Sequence, residues 1–82
     1  NPFNPTLAVR VDAPGGRAVE LSVVDVLGRI IHPAVRLELR EGSAEWIWNG
    51  RNGKNQPASS GVYFVRVESA GSTASSKVLL LR

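Results

Sequence analysis

Apolar residues at every second position, in short runs punctuated by Gly, Pro and Asn, constrain this chain more than any other feature. Leu7, Val9 and Val11 alternate with Ala8, Arg10 and Asp12 before Pro14-Gly15-Gly16 breaks the run. Val19, Leu21 and Val23 alternate with Glu20, Ser22 and Val24 up to a turn around Asp25 to Gly28. Ile30 and Ile31 open a third run that His32-Pro33 interrupts; Val35, Leu37 and Leu39 make a fourth, closed by Glu41-Gly42. Ala44, Trp46 and Trp48 share one face of a fifth, and Tyr63, Val65 and Val67 one face of a sixth. The last run, Thr73 to Leu81, begins polar and ends aliphatic. Successive side chains of a strand point to opposite sides of a sheet, so this period buries one side and solvates the other. No segment carries the 3.6-residue period of a useful helix. Seven such runs predict an all-β chain, an antiparallel β-sandwich.

Size sets the scale of anything the chain can do. Eighty-two residues form one small domain, too small for two catalytic lobes with a deep cleft between them. At this size folding buries roughly 60 % of the surface of the unfolded chain. With 43 % apolar and 21 % charged residues, the balance is that of a globular domain and not of a disordered one. The longest aliphatic stretch, Val78-Leu79-Leu80-Leu81, is far short of the roughly 20 residues of a membrane span, so no transmembrane segment is expected. The opening Asn1-Pro2-Phe3-Asn4-Pro5 has neither the basic head nor the apolar stretch of a signal peptide.

The residue inventory excludes most chemistry. Without cysteine there are no disulfides, thiolate zinc sites or cysteine nucleophiles. A single histidine, His32, excludes multi-histidine metal sites, and its place before Pro33 gives it an extended or turn backbone. The net charge of +3 comes from ten cations spread along the whole chain, without the basic stripe and interleaved aromatics of a nucleic-acid binder. Asn49, Asn52 and Asn55 offer oxygens at three-residue spacing, but calcium needs carboxylates and none lies between Trp48 and Gly61. The carboxylates Asp12, Glu20, Asp25, Glu38, Glu41, Glu45 and Glu68 mostly occupy the solvated positions of strands, with no groove marked for a glycosidase pair. Ser59-Ser60-Gly61 lacks a nucleophile elbow, and Pro14-Gly15-Gly16-Arg17 is followed by a strand and not by a phosphate-binding helix. No catalytic residue, no cofactor, no metal and no nucleic acid are therefore expected. The twelve residues from Asn49 to Ser60 read as a compact loop across one end of the sandwich. Trp48 is expected in the core and Trp46 at its margin, where an aromatic platform for a sugar ring remains the alternative.

Several segments resemble one family. Asn1-Pro2-Phe3-Asn4-Pro5-Thr6 resembles the opening of the type A C-terminal sorting domains of the type IX secretion system, and of the related flagellar hook-capping domains. Val23-Val24-Asp25-Val26-Leu27-Gly28-Arg29 is similar to the family's strand–turn–strand segment with its Asp and Gly-Arg/Lys. Trp48-Asn49-Gly50-Arg51-Asn52 resembles its Trp-Asp-Gly-x-Asp segment, with Asn49 and Asn52 in place of the usual aspartates. Asn55 stands where glycine is common; asparagine tolerates the same left-handed backbone. Ser60-Gly61-Val62-Tyr63-Phe64 and the ending Lys77-Val78-Leu79-Leu80-Leu81-Arg82 are similar to the family's corresponding segments.

The resemblance implies a seven-stranded immunoglobulin-like sandwich at the C-terminal end of a larger secreted or surface protein, often a hydrolase. There it would serve as a non-catalytic address, with the outer-membrane secretion machinery and the upstream domain of the parent protein as partners. It further implies that Gly61, Tyr63, Lys77, Val78, Leu79, Leu80, Leu81 and Arg82 carry the signal. Alternation places Val78 and Leu80 on one side of the last strand and Leu79 and Leu81 on the other, so both sides are apolar. Such a strand is either internal or presents a surface to a partner. A carbohydrate- or protein-binding module and a structural spacer are the competing functions.

Overall fold

In the computed structural model residues 5–82 are described; the first four residues of the opening motif lie outside them. The strands are β1 (Leu7–Asp12), β2 (Ala18–Asp25), β3 (Ile30–Glu38), β4 (Ser43–Trp48), β5 (Gly61–Ser69) and β6 (Ser72–Leu80). They form two antiparallel sheets: β1 with β4, and four strands in the order β3-β2-β5-β6. No helix among the described residues is long and apolar enough to cross a membrane.

The seven expected strands are six among the described residues, because the third and fourth runs are one strand, β3. Pro33, which interrupts the alternation, lies between His32, opposite Val23, and Val35, opposite Leu21. One residue of β2 thus faces two of β3, a bulge, and a second shift follows at Ile31. A proline has no N–H to give, but β3 is an edge strand, where a missing donor and a bulge are tolerated.

The core lies where the inner faces of the two sheets meet. Val9, Val11 and Trp48 pack against Val19, Leu21, Val23, Tyr63, Val65 and Leu80 in one cluster. Trp48 and Tyr63 meet edge-to-face, with ring centroids 5.3 Å apart. Trp48, Tyr63, Val9, Leu21, Val23 and Val65, which alternation puts on the apolar faces of their strands, are all buried. Burying each aliphatic side chain contributes about 1.5–3 kcal/mol, so the alternation itself drives the two sheets together. The hairpin between β5 and β6 turns on Ala70-Gly71, both with positive φ, a pattern whose twist matches that of the flanking strands.

Candidate functional site

Loop 49–60 closes the end of the domain where β4 ends and β5 begins, and its asparagines build it. Asn52 Oδ1 accepts hydrogen bonds from the backbone N–H groups of Lys54 and Gln56, both at 2.9 Å. Asn49 Oδ1 accepts from Arg51 N–H at 3.1 Å. These oxygens point into the loop's own backbone, which is the role of asparagine in turns. Asn55 takes φ 62°, in the left-handed region that asparagine tolerates and that glycine, common here in the family, adopts freely. Among the described residues no group of three or more His, Asp or Glu side chains is placed to hold a metal.

The aromatic core is fastened to the same loop. Trp48 Nε1–H donates to the Arg51 carbonyl at 2.9 Å, and the Tyr63 hydroxyl donates to the Ser59 carbonyl at 2.6 Å. Arg82 completes the closure. Its Nε–H donates to the Ala58 carbonyl, its Nη2 to the Gly50 carbonyl, and its backbone N–H to Ser60 Oγ at 2.9 Å. Gly50 has φ 74°, and a Cβ there would stand 3.2 Å from both the Arg82 guanidinium and the Leu80 side chain. Only glycine fits that crossing without displacement.

The turn between β2 and β3 is held by one carboxylate. Asp25 Oδ1 accepts from the backbone N–H groups of Leu27 and Arg29, each at 2.9 Å, and Oδ2 from Arg29 Nε–H at 2.7 Å. Burial is the largest single influence on this carboxyl and works to raise its pKa. The Arg29 N–H, the Arg29 guanidinium and the Leu27 N–H together outweigh burial and hold it below the ordinary 3.8. A carboxylate whose folded pKa is depressed stabilises the fold above its unfolded pKa, and that contribution is lost as pH falls through the folded value. Acidification below about pH 4 should therefore lower the melting temperature of the wild type more steeply than that of Asp25→Asn. Parallel pH profiles of the two proteins would remove Asp25 as the acid-sensitive group of this turn.

The residues of the expected signal divide by position. Tyr63 and Leu80 are in the core, and Val78 is half-buried beside them. Gly61 opens β5, opposite Leu80. Lys77, Leu79 and Leu81 point away from the core and are exposed, while Arg82 is the clamp on loop 49–60. The last strand, β6, is an edge of the four-stranded sheet, and its apolar side carrying Leu79 is exposed, with no second layer over it among the described residues. Trp46 is half-buried against the core with His32 edge-on, ring centroids 5.8 Å apart. It is not a flat exposed platform for a sugar ring.

A family model described as the secretion system C-terminal sorting domain matches residues 1–81. The chain belongs to this family. Its members are the non-catalytic sorting signals of type IX secreted proteins, recognised by that machinery and leading to secretion and attachment at the cell surface. The likeness to flagellar hook-capping domains finds no support in this match. No curated protein and no solved structure matches the chain significantly.

Three features of the sorting domain escaped the sequence reading: the Arg82 clamp, the Asp25–Arg29 lock and the exposure of Val26, Leu27 and Ile30. The last had a visible signal. Val26-Leu27 puts two large aliphatic residues in a turn, where polar residues are the rule.

Proposed function

We propose that the 82 residues are one immunoglobulin-like domain that ends a larger secreted protein and addresses it, by way of the periplasm, to the type IX machinery of the outer membrane. The upstream domain of the parent is its covalent partner and supplies whatever activity is exported. The pairing of β1 with β4 and the order β3-β2-β5-β6 favour the immunoglobulin-like reading, because they correspond to strands B–E and C′-C-F-G of that fold. Tyr63, near the start of β5 and bonded back to the Ser59 carbonyl, occupies the place of the tyrosine corner.

The address is assigned to the C-terminal stretch Lys77, Val78, Leu79, Leu80, Leu81 and Arg82. Gly61 and Tyr63 set the frame on which that stretch is laid. The observation that carries the sorting function is the family match over residues 1–81. The side chains of the stretch take two tasks: Val78, Leu80 and Arg82 fasten it, while Lys77, Leu79 and Leu81 are left for contact. An inert passenger fused upstream of the domain should reach the surface of a type IX-competent bacterium, and the same passenger without the domain should stay inside. Equal surface yields from the two would end the sorting assignment.

A further inference from the structure

The outer side of the four-stranded sheet is divided across its strands. One end carries Glu20 opposite Arg36 and Glu68, then Ser22 opposite Arg66, with Thr73 and Ser75 on β6. The other end is apolar. Val24 lies between Ile30 and Phe64, Val62 is opposite Leu79, and Leu81 follows. Val26 and Leu27 stand over this end from the β2–β3 turn and, with Val62 and Pro57, line a cleft of about 540 Å³. Among the described residues six large aliphatic side chains are conspicuously exposed, and five of them, Val26, Leu27, Ile30, Leu79 and Leu81, are at this end. Contiguous apolar surface of this kind on a small monomer marks an interaction site.

Charge follows the same division. The apolar end holds Arg29, Arg51, Lys54, Lys77 and Arg82 with Asp25 as its one carboxylate, already bonded to Arg29. The remaining six carboxylates and five arginines are at the polar end or on the other sheet. There Arg10, Arg36 and Arg66 pair with carboxylates two residues along the same strand. Lys54, which borders Ile30 across a shallow hollow, and Lys77, opposite Phe64, are not ion-paired among the described residues.

We propose that this composite face, Val26-Leu27-Ile30 together with Val62, Leu79 and Leu81, docks a protein whose contact surface is an apolar ridge rimmed by carboxylates. The proposal rests on the sorting assignment and names the surface that is recognised. A cleft beside an aliphatic floor fits a side-chain ridge, and two unpaired lysines at the rim fit acidic partners. A second copy of the domain fits poorly, because joining two such ends would bring like charges within a Debye length of about 8 Å. A membrane fits poorly too: no Trp or Tyr side chain is exposed on this face, and of its cations Arg29, Arg51 and Arg82 are hydrogen-bonded within the domain, which leaves two lysines against the polybasic clusters that anionic lipid selects. Residues fifty positions apart meet on this face, so the partner recognises the folded domain and not a linear C-terminal peptide.

The test uses the domain fused to an inert passenger in a type IX-competent bacterium, with surface yield and melting temperature measured for each variant. Leu27→Ser combined with Ile30→Ser should lower the yield about tenfold or more with the melting temperature held, and Lys54→Glu combined with Lys77→Glu should lower it as well. Glu20→Lys combined with Thr73→Lys, at the polar end of the same side, should leave it unchanged. Wild-type export with undiminished export of the Leu27/Ile30 variant overturns the docking face while the sorting assignment stands. Failure of the wild-type fusion to export removes both. The purified domain should stay monomeric in sedimentation and should not pellet with vesicles of phosphatidylcholine and phosphatidylglycerol in equal parts. A dimer or vesicle binding that the Leu27/Ile30 substitutions abolish would assign the face to a second copy or to lipid instead.

Discussion

Trp48→Ala is expected to remove most of the stability of the domain. Trp48 is 1 % exposed, meets the Tyr63 ring at 5.3 Å and bonds through its indole N–H to the Arg51 carbonyl, so it joins both sheets to loop 49–60. Truncating a buried tryptophan costs about 3–5 kcal/mol, and a chain of this length has a total of only about 4–12 kcal/mol. Urea unfolding should show a midpoint moved to low denaturant or no cooperative transition at all. Tyr63→Phe separates packing from hydrogen bonding: it keeps the ring, leaves the Ser59 carbonyl without its 2.6 Å donor and should cost about 0.5–1.5 kcal/mol. A loss below about 1 kcal/mol in Trp48→Ala would mean that the two sheets do not depend on this residue.

Deleting Lys77 to Arg82 is expected to abolish export of a fused passenger. The deletion removes the fully buried Leu80, four of the nine pairs between β5 and β6, and the guanidinium that bonds the Gly50 and Ala58 carbonyls. It therefore strikes fold and address together, and a companion is needed. Leu79→Ser combined with Leu81→Ser changes only exposed side chains, for which stability effects stay within about 0.5 kcal/mol. Loss of export in both variants assigns the C-terminal residues to recognition; loss in the deletion alone assigns them to folding. Normal surface levels of the deletion protein would exclude them from both. Trp46→Ala, which affects the margin of the core and the edge contact with His32, should leave export largely unchanged.

The strands were legible because half-buried strands must alternate, and the alternation from Leu7 to Val11, Val19 to Val23 and Tyr63 to Val67 admits no other element. Pro33 was not. A proline ends a central strand but not an edge strand, and which strand is an edge depends on a sheet order that no local pattern contains. The last strand was legible as apolar on both sides, yet its neighbours decide whether the second side is covered. The cations are evenly spaced in sequence, so the cationic end was invisible there; it arises because strand register gathers six carboxylates elsewhere. The resemblance counts Arg82 among the signal residues, and only the closure of loop 49–60 gives its guanidinium two carbonyls.

The chain enters and leaves this domain at the same end. Pro5, just before β1, lies against Gly50, the residue whose carbonyl Arg82 holds. A pull applied between the segment before β1 and the end of β6 would load Leu7–Trp48 in one sheet and Leu80–Gly61 in the other first. Each sheet would then be peeled pair by pair from that end and would not be sheared along its whole length. The guanidinium bridge from Arg82 to the Gly50 and Ala58 carbonyls is the first bond in that line of force. The domain should therefore yield at lower tension once that bridge is broken.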